Sequence, residues 1–345
     1  MKKKRSIYYL FILVLLILIG WNYQLVSYGI SQAYGQLTIL WNTRSVEEVL
    51  KDSAVPDSVK QKIELINEIK KFAFDSLGIK KNENYTSFYD QKNKPILWVI
   101  TACPPFEMKA FEWEFPLLGS FSYKGYFVHE KALAEEKKFI KEGFDTDVGE
   151  VSAWSTLGWL RDPILSSMLR RRPGSLANLI IHELTHGTLY VKSNVDFNEN
   201  LASFVGDYGA RKFLSEKFGA DSKEFSEYEK GFRFQKEYSE RTLGWAKRLD
   251  SLYKKFDSTC SYEMKRKLKE AMIDRARQDL TSYLKENNFY NTRYEKDFAK
   301  LNNAYFIDFI TYRSQQNVFE EEFRTKFHSK FPAYMNYLKE KYPSL

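Results

Sequence analysis

The chain has 345 residues, 17% of them aromatic, and a formal net charge of +8. Lys2, Lys3, Lys4 and Arg5 carry half of that charge, and the remainder is scattered without blocks. That distribution excludes a nucleic-acid footprint, and Cys103 and Cys260, the only cysteines, are too few for a zinc knuckle. An extracytoplasmic site would permit a disulfide between them, but their separation gives no support for one.

After Arg5 no charged residue occurs until Arg44, and residues 7–19 are continuously apolar or aromatic. The stretch from Ile7 to about Tyr28 predicts a transmembrane helix of about twenty residues. Trp21 and Tyr23 suit a membrane interface, and Gly20-Trp21-Asn22-Tyr23 is a poor cleavage site. The segment therefore reads as an uncleaved signal anchor, with a secreted protein after signal cleavage as the alternative. Residues 1–30 form the cytoplasmic leader and anchor. Residues 31–345 form one extracytoplasmic domain, on the periplasmic face of the inner membrane in a Gram-negative cell. The membrane is thus an expected partner; no nucleic acid and no protein partner is expected.

In the body, Ser45-Val46-Glu47-Glu48 reads as a capping box opening a short helix. Residues 57–77 form an amphipathic helix ended by Gly78. Residues 96–101 read as a buried strand, 117–128 as extended chain punctuated by Gly119 and Gly125, and 131–142 as a charged helix. Helices follow to the C-terminus: the metal helices over about 175–214, then a helical part over about 220–345 that packs on them as a lid or support. Strands followed by helices predict an α+β, mostly helical fold.

His182-Glu183-Leu184-Thr185-His186 is the informative word. On a helix the two histidines, four apart, share a face and can present two imidazole nitrogens to one metal ion. Glu183 is rotated off that face, where a carboxylate can take a proton from a water that the ion activates. Pro173-Gly174-Ser175 reads as a break and N-cap, and Leu176, Leu179, Ile180 and Leu184 supply the buried face. Catalytic zinc needs a third protein ligand. Glu199 is the candidate, near the start of a second helix capped at Asn198, on a face with Ala202, Ser203, Gly206 and Ala210 that would allow close approach. Glu199 could equally be a solvated first-turn carboxylate, and Asp196 is the reserve ligand.

The segment Asn198 to Phe204 resembles the N-E-x-x-A-x-F stretch that carries the glutamate ligand in gluzincins, the thermolysin and aminopeptidase N group of H-E-x-x-H metallopeptidases. The short spacing between the two words is similar to that of a bacterial family of predicted zinc aminopeptidases. The same family is suggested by Tyr34-Gly35-Gln36, Phe115-Pro116, Tyr123-Lys124-Gly125-Tyr126-Phe127, Ser155-Thr156-Leu157-Gly158-Trp159 and Asp162-Pro163-Ile164-Leu165-Ser166. Leu301-Asn302-Asn303-Ala304 and Tyr312 complete the set. The resemblance covers most of the chain after residue 30. Two departures stand out. Trp21-Asn22 occupies the place where members often carry a lipoprotein cysteine. Ser203 replaces the aspartate that follows the glutamate ligand in thermolysin, so the group orienting the first histidine must come from elsewhere.

Together these features predict a zincin-like metallopeptidase with an antiparallel edge strand and two metal-binding helices. One Zn2+ per chain is held by His182, His186 and Glu199, and peptide is the substrate. Glu183 is the general base, which passes its proton on to the leaving amine. Tyr312, Tyr126 and Tyr208 are candidate donors to the oxyanion. The segment containing Tyr123 and Gly125 is a candidate edge strand for substrate backbone, and Glu112 and Glu114 could hold a free N-terminal ammonium. The expected activity is that of an aminopeptidase. The alternatives are a zinc endopeptidase and a non-catalytic, metal-stabilised binding protein at the membrane.

Overall fold

The computed structural model describes residues 20–116, 119–151 and 160–342. The chain divides into two compact units, Met1–Thr43 and Arg44–Leu345. In the first, helix α1 (Tyr23–Trp41) is followed by Asn42. Among the described residues no helix is long and apolar enough to cross a membrane. This overturns the expected transmembrane helix and leaves the expected membrane partner without support. The physical reason lies in α1 itself, where Gln24, Ser27, Ser31, Gln32, Gln36 and Thr38 interrupt the apolar residues. The strongly apolar run 7–19 lies outside the described residues, as do 152–159, which include the Ser155 to Trp159 word.

The second unit is mostly helical with small sheets. Strand β1 (Arg44–Ser45) leads into α2 (Val46–Lys51), whose capping box is complete. Ser45 Oγ accepts from the Glu48 N–H at 3.1 Å, and the Glu48 carboxylate accepts from the Ser45 N–H at 3.2 Å. Helix α3 (Asp57–Ser76) buries Ile63, Ile66, Ile69 and Ala73 along one stripe, the 3.6-residue periodicity that its sequence shows. Strand β2 (Ser87–Tyr89) pairs antiparallel with β1 and parallel with β8 (Ile164–Leu165).

A three-stranded antiparallel sheet forms around β3 (Trp98–Cys103), with β6 (Lys124–Tyr126) on one edge and β7 (Asp145–Glu150) on the other. Sequence reasoning missed β7. Its residues, Asp145-Thr146-Asp147-Val148-Gly149-Glu150, carry little β-branched or aromatic signal, and pairing with every residue of β3 holds it extended. Strands β4 (Trp113–Phe115) and β5 (Gly119–Phe121) pair separately. Helix α4 (His129–Lys141) packs on β3 and β7.

Next come α5 (Pro173–His186), α6 (Val195–Phe218), α7 (Lys223–Tyr253) and α8 (Tyr262–Glu286). They are followed by α9 (Thr292–Ala299), α10 (Asn303–Arg313), α11 (Gln316–Phe327) and α12 (Phe331–Lys341). Two helix starts differ from expectation. α5 begins with Pro173 at its first turn rather than at a Ser175 cap, because proline's fixed φ and missing N–H suit that position. α6 is capped by Asn194, which accepts from the Phe197 N–H at 3.2 Å. Asn198 instead straps the preceding loop, pairing with both the N–H and the C=O of Val191 at 2.8 Å.

The aromatic residues of the C-terminal part pack into helix contacts. Phe234, Tyr238, Trp245 and Tyr253 of α7 bury against Ile273, Leu280 and Leu284 of α8 and Phe306 of α10. Phe204 of α6 meets Phe319, Phe323 and Phe331. Tyr208 stacks on Phe331 with ring centres 4.5 Å apart.

Small residues on α6 let it approach α5. A Cβ on Gly206 would stand 2.9 Å from the Asn178 carbonyl oxygen and 3.3 Å from His182 Cβ. Glycine to alanine normally gains up to about 1 kcal/mol in a helix, whereas overpacking costs about 1–3 kcal/mol. Here the clash is with backbone, so overpacking wins. We expect Gly206→Ala to destabilise the protein by about 1–2 kcal/mol, read as a lowered urea midpoint at unchanged slope. A raised midpoint would show that the helices are not in close contact.

Candidate active site and metal centre

The chemistry gathers where the end of α5 faces the beginning of α6. α5 drives its apolar stripe, Leu176, Ala177, Ile180, Ile181 and Leu184, fully into the core. His182 and His186, one turn apart, are thereby carried to the α6 side. His182 Nε2 and His186 Nε2 lie 3.3 Å apart. Glu199 Oε2 lies 3.3 Å from His182 Nε2 and 3.5 Å from His186 Nε2. These are the donors of a His-His-Glu group that could hold a metal ion. Ligands about 2.1 Å from one tetrahedral ion stand about 3.4 Å from each other, so the three separations fit a single ion. Asp196, the reserve ligand, is not in the group. It lies one turn earlier on α6, within electrostatic reach of Glu112 and Glu199.

Burial tends to raise the Glu199 carboxyl, but His186 and His182 opposite it win and hold it well below the usual carboxylate range. Burial lowers the His186 imidazole while Glu199 raises it, and Glu199 prevails. Buried His186 Nδ1 has no hydrogen-bond partner among the described residues.

Glu183 is not a member of this group, lies within electrostatic reach of all three of its residues, and is itself buried. Burial pushes its carboxyl up, against the pull of His182, His186 and Arg171. Two neighbours of Glu183 were missed from sequence, and neither carries a motif that would have marked it. Tyr85, 1% exposed, has a hydroxyl with no hydrogen-bond partner among the described residues, within electrostatic reach of Glu183, and holds a left-handed φ of 63°. Arg171, just before α5, is the nearby cation.

The tyrosines separate clearly. Tyr123, in the turn between β5 and β6, donates to Glu199 Oε1 at 3.5 Å. Tyr312 of α10, 36% exposed as a residue, lines a cleft together with Tyr123, the residue that meets Glu199, and burial followed by the Glu199 carboxylate pushes its hydroxyl up. Tyr126 is buried in β6 opposite Trp98, and Tyr208 is packed on Phe331 and Phe323. Gly125 pairs with Val99 on the edge strand. Glu114 is exposed on β4, opposite Ser120. Glu112, also exposed, lines a cleft of about 220 Å³ with Ser120 and Asp196.

Asparagines hold Tyr312 in place. Asn200, adjacent to Glu199, donates to the Thr311 C=O at 2.6 Å and accepts from the Gln315 N–H at 2.8 Å. Asn303 at the other end of α10 donates to the carbonyls of Pro104 and Pro105 at 3.2 Å and accepts from the Tyr253 hydroxyl at 2.8 Å. Asp207 ties four helices, accepting from Asn178 at 2.8 Å, Tyr228 at 3.2 Å and Arg313 at 3.0 Å.

In a divalent-metal titration we expect one ion per chain. His182→Ala with His186→Ala should abolish binding, and Glu199→Ala should weaken it by about tenfold or more, at least 1.4 kcal/mol. Asp196→Ala should bind as the native chain does. Weakening by Asp196→Ala with Glu199→Ala unaffected would move the third ligand.

The family model described as putative aminopeptidase matches residues 27–342. No curated protein and no solved structure matches the chain. With a match over that span, the chain belongs to the putative aminopeptidase family, whose description makes it a peptidase.

Proposed function

We propose that this chain is a zinc-dependent aminopeptidase. The observation that carries the reading is the convergence of His182, His186 and Glu199 with mutual separations of 3.3–3.5 Å, beside a buried Glu183 outside the group. Two imidazoles and one carboxylate are a donor set that zinc favours at catalytic sites, where a fourth position stays open. Zinc bound there would supply a water of lowered pKa and a polarised substrate carbonyl.

The chain's own residues supply the rest. Glu183 accepts the proton from the attacking water and returns it to the departing amine. Its raised carboxyl makes it a better proton acceptor than an exposed glutamate. Tyr312 is the proposed donor to the negative charge that develops on the substrate oxygen. Tyr123, bonded to Glu199, keeps that carboxylate turned toward the histidines.

Glu183→Gln keeps the shape and removes the base. It should retain zinc and lose turnover a hundredfold or more, on the scale of about 10²–10⁴ for general-base catalysis. Loss of zinc together with activity would make Glu183 structural. Paired assays on free and N-acetylated peptides of equal sequence should show cleavage of the free form only. Equal cleavage of both would make the enzyme an endopeptidase.

A further inference from the structure

Beside the metal group lies a cleft of about 190 Å³ whose lining includes Thr101, Ser122, Tyr123, Asp147, Asp308 and Tyr312. Tyr123 is the residue that touches Glu199, so the cleft adjoins the reacting centre. Asp308 precedes Tyr312 by one turn of α10 and shares its face. Asp147 of β7 sits directly across from Thr101 of β3. Thr101 Oγ1 donates to Asp308 Oδ1 at 3.3 Å.

Three features of the cleft call for a cation. Neither Asp147 nor Asp308 has an ion-pair partner within 4 Å among the described residues; Arg293, which also lines the cleft, pairs with Asp297 at 3.9 Å, and Lys300 acts on Asp147 only at longer range. Ser122, 9% exposed, buries its Oγ with no hydrogen-bond partner among the described residues. A buried hydroxyl left unmatched costs free energy unless a ligand satisfies it. Burial, then the Asp147 charge, pushes the Asp308 carboxyl up to about 7. A positive charge seated there would relieve that.

An ammonium offers three donors, and two carboxylates and a hydroxyl offer three acceptors. A calcium ion would need six or more oxygens. We propose that Asp308, Asp147 and Ser122 hold the N-terminal ammonium of the substrate, placing the first peptide bond at the metal group. This relocates the role from the exposed Glu112 and Glu114. It rests on the aminopeptidase reading for its meaning in turnover, but not for the binding itself.

The test compares two small molecules that differ by one amine, L-leucinol and 4-methylpentan-1-ol, titrated calorimetrically into the zinc-loaded protein. The native chain should bind the amine at least about tenfold tighter, the value of a charge-assisted hydrogen bond. Asp308→Asn should erase that preference with zinc content and thermal midpoint unchanged. Should Asp308→Asn fail to fold, Ser122→Ala carries the test, with an expected loss of at least about threefold for one hydrogen bond from the ammonium. No preference in the native chain, a preference that survives Asp308→Asn, or one that disappears instead in Glu112→Gln would overturn the proposal. Amine preference in a chain that hydrolyses no peptide would instead defeat the peptidase reading and leave this site standing.

Discussion

The close packing of α5 on α6 is the constraint on which the rest of the centre depends. A pair of histidines one turn apart is useful only if a third donor arrives from another element. Glu199 reaches both imidazoles within 3.5 Å because Gly206 lets α6 come up to the backbone of α5. Gly209 repeats the device one turn on, where a Cβ would meet Leu77 Cδ1 at 2.7 Å and Ile181 Cδ1 at 2.8 Å. The small residues cost helix propensity, and the apolar burial of Ile181, Leu184, Leu201 and Val205 offsets that cost.

The remainder of the unit serves to fix what faces that pair of helices. The sheet around β3 presents Thr101 and Asp147 from one side, and the β5–β6 turn delivers Tyr123 to Glu199. α10 approaches from the other side with Asp308 and Tyr312, held at its ends by Asn303 and Asn200. Asp207, bonded to α5, α7 and α10 at once, locks the helices around it. Buried polar groups of this kind are satisfied in one arrangement only, which makes them specific as well as stabilising.

How much of this was legible in the sequence follows from the range of each interaction. The H-E-x-x-H helix, the second helix with Glu199, the Ser45 capping box and the stripe of α3 are all local periodicities, and they were readable. The caps of α5 and α6 were misplaced because several residues able to begin a helix stand in a row, and burial chose among them. β7 was missed because its extended form is imposed by β3 rather than by its own residues. Tyr85, Asp147 and Asp308 lie far along the chain from the histidines, and only the tertiary fold brings them near; Arg171 lies just before the histidine helix, but no motif marks it. The transmembrane helix failed for a different reason, since the apolar composition of the leader was extended into residues whose polar side chains dilute it.

The central claim is that two imidazoles and one carboxylate of this chain hold a zinc ion. X-ray absorption at the zinc edge, on protein loaded with one equivalent, tests it most directly. The expected spectrum has two imidazole nitrogens and oxygen donors at about 2.0–2.2 Å, no sulfur at about 2.3 Å, and loses the imidazole scattering in the His182→Ala, His186→Ala protein. A spectrum with sulfur in the coordination sphere, or one unchanged by removing both histidines, would contradict it.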